Sequence, residues 1–332
     1  MSVYIIAEAG VNHNGKLELA LELCDAAKDA GADAIKFQTW KTGKIVTQSA
    51  ELATYQENNI SDKSKSQFQM LKELELSYEN FSVIKEHCCK IGIQFLSTPD
   101  ESDSLEFLCN LGLPLIKLGS GDVTNIPFLR IVGSKRKNVI LSTGMSYLSD
   151  VDIAYRTLLN SGSKSVSLLH CTTNYPCPKD EVNLRAMQTI KKAFHCKVGY
   201  SDHTLGVEVP IAAVAMGAEI IEKHFTLDKT MDGPDHKASL DQLELKSMIS
   251  SIRNIEIALG DGIKRPNKSE IEISSVVLKR IVAGKHITKG SIFSADNLTV
   301  KRSSQGLNAQ LWDLVIGKDA TKDYNIDEPI NL

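Results

Sequence analysis

The chain has 332 residues, 42% of them hydrophobic, enough for one large core and a small second one. Its 38 basic and 41 acidic side chains leave a formal charge of −3, so no overall field draws it to nucleic acid or to an anionic membrane surface. Seven cysteines without a CxxC pair read as reduced thiols, the opening MSVYIIAEAG has no basic leader, and no run approaches the ~18 apolar residues that cross a bilayer, so a cytoplasmic protein is expected.

From residue 3 to residue 259, short apolar runs alternate with stretches of helical period. Strands are predicted at 3–9, 34–39, 93–98, 114–120, 139–143, 166–172, 197–202 and 219–225, and helices between them at 16–30, 78–90, 101–110, 149–160, 184–194, 207–216 and 240–259. Asp100, Asn125 and Ser149 read as helix N-caps and Gly31 as a helix stop. Runs apolar on both faces belong in a parallel sheet covered by helices, and eight βα units in about 250 residues suit a closed (β/α)8 barrel of the TIM type. A doubly wound sheet is disfavoured because no GxGxxG follows the first strand. The polar stretch 40–77 is unlike a packed helix and reads as a long lid over the barrel mouth. After residue 260 the texture changes. GDGIKRPNKSE reads as a linker, and the tail has short β-like runs broken at Gly284, Gly290 and Asp296. The expected division is a barrel over 1–260, a linker over 261–271 and a small, mostly β domain over 272–332.

In such a barrel the C-terminal strand ends converge on one mouth, where catalysis takes place. Here those ends are polar: Glu8, Lys36 and Gln38, Ser97 and Thr98, then Lys117, Ser120 and Asp122. Ser142 and Thr143, Thr172 and Thr173, Ser201 with Asp202 and His203, and finally Lys223 with His224 complete the ring. A single strand-end Ser or Thr usually caps a helix or forms a turn, but eight polar ends together point to a site. Lys36 and Lys117 with small hydroxyls beside them suit a compact phosphate or carboxylate, since lysine supplies a point charge and hydroxyls give directed hydrogen bonds. His203 and His224 on neighbouring strands can share one divalent ion and leave positions open for water and substrate. The carboxylates Glu8, Asp122 and Asp235 can direct water or move protons. His13 is either a loop anchor or a site residue, and His87 and His195 read as surface helix positions.

AEAGVNHNG, AIKFQT, FLSTP, KLGSGDVTN, ILSTGM, LHCTTNYPCP, GYSDHT, EKHFTLDKTMDGPDHKAS and DNLTVKR, in this order through nearly the whole chain, resemble the sialic acid synthase family. The resemblance implies a TIM barrel followed by a small antifreeze-like (SAF) β module, in a head-to-tail homodimer. It implies condensation of phosphoenolpyruvate with an N-acylated mannose-type sugar, giving a nine-carbon 2-keto acid and phosphate. By position it implies that His203 and His224 hold a divalent metal, manganese first, with magnesium or cobalt as alternatives. Lys36, Gln38, Thr98, Lys117, Ser120, Ser142 and Ser201 would surround phosphoenolpyruvate. Glu8 and Asp235 would face the sugar aldehyde and the attacking water, Tyr175 the substrate, and Arg302 the site of the other subunit. Asp122 stands where bacterial members of the family commonly have glutamate, and Thr173 where some have asparagine. Two sugars fit the resemblance, N-acetylmannosamine and, as in legionaminate synthases, 2,4-diacetamido-2,4,6-trideoxymannose. A metal-dependent barrel hydrolase is disfavoured because the first strand carries no HxH. A non-catalytic carbohydrate-binding protein would need neither the lysines nor the histidines. No nucleic-acid or membrane partner is expected.

Overall fold

A computed structural model describes residues 2–332. It falls into two compact units, the first reaching to Gly260 and the second running from Asp261 to Leu332. In the first, eight parallel strands form the barrel: β1 (Tyr4–Gly10), β2 (Ala34–Thr39), β3 (Gln94–Pro99), β4 (Leu115–Leu118), β5 (Asn138–Ser142), β6 (Ser165–Cys171), β7 (Val198–Asp202) and β8 (Ile220–His224). The ladder runs β3-β2-β1-β8-β7-β6-β5-β4, so the first and last strands in sequence pair directly, and β3 and β4 face each other across a seam.

Strand alternation sorts side chains into two populations. Outward residues such as Ile5, Ala7, Ile35, Phe37, Leu141 and Leu168 pack with the surrounding helices in one continuous core. Inward residues stack in layers. Ile6, Leu96, Ile140, Leu169 and Ile220 form a buried apolar layer across the barrel. Above it, at the strand C-termini, the inward positions turn polar: Ile6 is followed by Glu8, Leu96 by Thr98, Ile140 by Ser142, and Ile220 by Glu222 and His224. The helices are cut by the expected signals in several places. Gly31 ends Leu17–Ala30 at φ 90, a conformation that favours glycine, and Asn125 caps Ile126–Ser134 through the Phe128 amide.

Three expectations need correction. Glu101, not Asp100, caps the helix Ser102–Asn110, accepting from the Ser104 and Asp103 amides at 3.0 and 2.6 Å. Ser149 lies inside the helix Leu148–Asn160, whose first turn is closed by Asp150 reaching back to the Tyr147 amide. The 40–77 stretch is not free of helix, since Thr42–Ile45, Thr54–Asn59 and Gln67–Leu74 are helical. The last of these opens on a reciprocal Ser66–Gln69 capping box, and Trp40, Ile60, Met70 and Leu74 bury one another beside Val11. The stretch therefore has its own small core.

In the second unit, residues 268–271 form the first turn of a helix, Lys268–Val277. Beyond it, β9 (Lys279–Ala283) and β10 (Leu298–Arg302) pair antiparallel. Isolated bridges such as Val282–Pro329 and Ile287–Tyr324 draw the last residues onto them. Ile281, Phe293, Val315, Tyr324 and Ile330 make a separate small core. Among the described residues no helix is long and apolar enough to cross a membrane.

Candidate active site

The polar layer above the Ile6 layer encloses a small pocket with about 130 Å³ of free space. At its base lies Glu222, an inward residue of β8, 4% exposed. Its carboxylate stands 3.3 Å from the Lys117 ammonium and 3.8 Å from that of Lys36, and accepts from Ser201 Oγ at 2.9 Å. Burial opposes its charge, but Lys117 and Lys36 outweigh that and hold it down at about 2. Lys36 also lies 2.8 Å from Glu8 and donates to Thr98 Oγ1 at 3.2 Å. Lys117 donates to Ser142 Oγ at 2.9 Å and to the Leu118 carbonyl at 3.0 Å. Burial pulls the Lys117 pKa down, with Glu222 the main force opposing the fall.

Burial pushes Glu8 up to about 7 against the pull of Lys36, so it exchanges a proton near neutrality. Gln38 donates to it at 3.3 Å. Burial works against the charged forms of Glu8, Asp100 and Lys117 alike, and a compact anion bound at the pocket base would favour the charged lysines.

Across the pocket the rings of His203 and His224 lie with centroids 5.3 Å apart. The Thr172 carbonyl, 2.7 Å from His203 Nδ1, can only accept, so Nδ1 carries a proton. Burial lowers the His203 pKa, but Cys171 beside the ring and that carbonyl outweigh it and raise the pKa, so Nε2 offers a lone pair once the ring has given up its second proton. Burial, helped by His203 and Lys36, drives the His224 pKa well down, leaving a neutral imidazole whose buried Nδ1 lacks a hydrogen-bond partner and lies 3.7 Å from Asp235. A divalent metal takes neutral imidazoles with free lone pairs, which His224 already offers and His203 offers on losing a proton to the metal's competition, so this pair fits one. Among the described residues no group of three or more His, Cys, Asp or Glu is disposed to hold a metal ion, so protein donors would be few. Burial raises Asp235 to about 6. Gly10, at φ 54, lies against all three, since a Cβ there would come 3.3 to 3.5 Å from Glu8, His224 and Asp235.

Tyr175 covers the imidazoles, with its ring centroid 4.0 Å from that of His203 and 5.5 Å from that of His224. Tyr55, from the helix Thr54–Asn59, packs at a tilt on Tyr175, with ring centroids 4.9 Å apart. Asn59 on the same helix donates to the Pro234 carbonyl beside Asp235. The 40–77 stretch thus reaches the mouth. Ser120 Oγ accepts from the Gly144 amide, and Thr173 Oγ1 is buried there without a partner. A Cβ on Gly144 would meet that hydroxyl at 2.2 Å.

The structure therefore gathers Glu8, Lys36, Gln38, Thr98, Lys117, Ser120, Ser142, Tyr175, Ser201, His203 and His224 around one pocket. Asp235 and Thr173 stand beside it. Asp122 does not line it. That residue is half-buried in a 3-10 turn, accepting from Asn125 at 3.1 Å, and burial raises its pKa. Asp100 lines the pocket instead, raised to about 8 by burial and then by Asp122. Arg302 lies in the second unit, exposed at the end of β10. Lys223 points away from the pocket, as its place between Glu222 and His224 demands. His13 is a loop anchor: fully buried, it accepts from the Gly15 amide at 3.0 Å, and burial lowers it to about 4. His87 is on a helix surface beside Asp25, and exposed His195 ends its helix rather than lying in it.

Eight parallel strands with paired lysines and paired imidazoles at their C-terminal ends define a barrel whose mouth has the residue types suited to a compact anion and, beside it, to a metal ion. Residues 23–264 match the NeuB family, and residues 280–331 match the SAF domain. The chain is 49% identical to an N,N'-diacetyllegionaminic acid synthase of Campylobacter jejuni, over 98% of each chain. It is 47% identical to a protein of the same name from Legionella pneumophila, over 96% of this chain and 90% of that one. The crystal structure of an N-acetylneuraminic acid synthetase from Leptospira borgpetersenii, in complex with citrate, aligns with TM-score 0.72 and 36% identity, covering 82% of this chain and 92% of that one. The chain belongs to the NeuB family, the group its motifs resemble.

Proposed function

We propose that the protein condenses phosphoenolpyruvate with 2,4-diacetamido-2,4,6-trideoxymannose and water, giving N,N'-diacetyllegionaminate and phosphate. The observation that carries the reaction class is the pair of buried lysines on Glu222 facing two neutral-capable imidazoles in one pocket. The choice of sugar over N-acetylmannosamine is supported by the 49% and 47% identity to legionaminic acid synthases, against 36% to the N-acetylneuraminic acid synthetase.

In this reading Lys36 and Lys117 bind the phosphate and carboxylate of phosphoenolpyruvate, Thr98, Ser142, Ser120 and Thr173 donate to their oxygens, and Ser201 lines the same pocket with its proton on Glu222. Gln38 orients Glu8. Tyr175 and Asp235 border the sugar. His203 and His224 would hold the divalent ion, manganese in the first instance, which when bound supplies Lewis-acid polarisation of the sugar aldehyde. The chain fixes C3 of phosphoenolpyruvate against that carbon. As the C–C bond forms, positive charge builds at C2. Water adds there, losing its proton to a carboxylate, with Glu8 the best placed by its raised pKa and Asp235 next. The carboxyl so formed returns a proton to the developing sugar hydroxyl; the bond from C2 to the phosphate-bearing oxygen then breaks as the C2 hydroxyl becomes the ketone, its proton leaving on the released phosphate. Asp122 would act only through its field.

The reading extends to a head-to-tail homodimer in which Arg302 of one subunit reaches the sugar in the other. It also extends to a cytoplasmic location, supported by seven free thiols. Phosphoenolpyruvate labelled with ¹⁸O in its C2–O bridge tests the chemistry. The label should leave entirely in phosphate, and label kept in the keto acid would refute C–O cleavage.

A further inference from the structure

The first unit holds a cavity larger than the catalytic pocket. It is a bowl of about 670 Å³ at the opposite, N-terminal mouth of the barrel. Its walls come from the same inward faces that carry the site, one layer down. Tyr4 precedes Ile6 and Glu8 on β1, Leu115 precedes Lys117 on β4, and Ser167 precedes Leu169 and Cys171 on β6. The bowl is thus separated from the catalytic pocket by one thickness of side chain, the Ile6–Leu96–Leu169 layer.

Such a mouth is normally plugged by its own side chains. Here a bowl remains below that plug. Level with Leu169, β7 contributes Gly199, where a Cβ would meet the Ile220 carbonyl at 2.2 Å, so the layer between the bowl and the catalytic pocket is closely packed at this strand. The Tyr4 hydroxyl is buried at the bowl without a hydrogen-bond partner, an arrangement that favours an added acceptor. On the rim stand Lys164 and Lys197, both exposed and neither in an ion pair among the described residues. The one carboxylate of the lining, Glu219, is turned to Lys191 at 3.6 Å. Leu159 and Tyr155 form an apolar shoulder between rim and floor.

We propose that this bowl is a second ligand site, for a compact organic anion with an aromatic or acyl body. The body lies on Leu115, Ile140, Ile220 and Leu159, the anionic group pairs with Lys164 and Lys197, and an acceptor atom takes the Tyr4 hydroxyl proton in a hydrogen bond. The volume is in the range of small-molecule sites, and apolar walls with a few convergent polar groups are their usual composition. The inference rests on the cavity alone and stands whichever sugar the enzyme uses.

Fluorescence titration of the full-length protein with 8-anilinonaphthalene-1-sulfonate, an aromatic anion, tests it. One saturable site per chain is expected, not displaced by phosphoenolpyruvate and not competed by inorganic phosphate, which lacks the apolar body. The rim double variant Lys164→Glu/Lys197→Glu should weaken binding at least about tenfold, with phosphate release in the absence of dye unchanged. Leu159→Glu, at another solvent-facing position, should do the same. Absence of saturable binding, displacement by phosphoenolpyruvate, or equal affinity in both variants would overturn the proposal.

Discussion

Lys223 and Asp202 meet at 2.6 Å with no solvent exposure on either side chain, and each immediately precedes one of the two histidines of the site. The pair lies on the outer face of β7 and β8, behind the pocket. Asp202 also accepts from the Thr204 amide and hydroxyl, and Lys223 donates to the Thr204 carbonyl. It pins the chain on both sides of His203.

Breaking this pair leaves an uncompensated buried charge. Asp202→Asn is expected to cost about 3–5 kcal/mol of stability by urea unfolding. It should also weaken manganese binding, read by electron paramagnetic resonance, because both imidazoles lose their backing. Full metal affinity in a destabilised variant would confine the pair to stability.

Glu222→Gln removes the charge that keeps both lysines in place and opposes the fall of the Lys117 pKa. A charge-assisted hydrogen bond is worth about 1.5–3 kcal/mol, so KM for phosphoenolpyruvate should rise roughly tenfold to a hundredfold, most at high pH, with KM for the sugar little changed. Tighter phosphoenolpyruvate binding would show that the carboxylate opposes the anion instead of posting the lysines.

Glu8, held up to about 7, must lose its proton to accept one from water. The sign follows directly. kcat should fall as pH drops through about 7, and Glu8→Gln should lower it by about 10²–10⁴. A flat kcat profile between pH 6 and 8 would remove Glu8 as the base.

Arg302 in trans predicts complementation. Arg302→Ala and His203→Ala subunits, each nearly inactive alone, should regain up to about a quarter of wild-type sites per chain when refolded together, since random pairing makes half the dimers mixed with one intact site each. No recovery in confirmed mixed dimers would place Arg302 within its own subunit's chemistry or outside it.

The barrel was legible because strand-length apolar runs recur eight times, and most of the pocket because barrel geometry dictates where strand ends point. Two pocket residues escape that reading, each for its own reason. Glu222 sits in the interior of EIIEKHF, where a lone carboxylate looks incidental, yet the two-residue period counted back from His224 puts it on the same face. Asp100 was read as a cap because it precedes a helix, but Glu101 stands one residue nearer and takes the amides, freeing Asp100 to face the pocket. The capping box at Ser66 and Gln69 was visible in the 40–77 stretch. The packing of Trp40 on Met70 and Leu74 was not, since it depends on contacts about thirty residues apart in the chain. Nor does local sequence announce the Tyr55–Tyr175 contact, which joins segments far apart in the chain.

Phosphate release by the purified protein with manganese and phosphoenolpyruvate, compared between 2,4-diacetamido-2,4,6-trideoxymannose and N-acetylmannosamine, tests the central claim most directly. The account predicts turnover with both components present and a clear preference for the diacetamido sugar. Preference for N-acetylmannosamine would contradict the choice of sugar, and release with neither would contradict the synthase assignment itself.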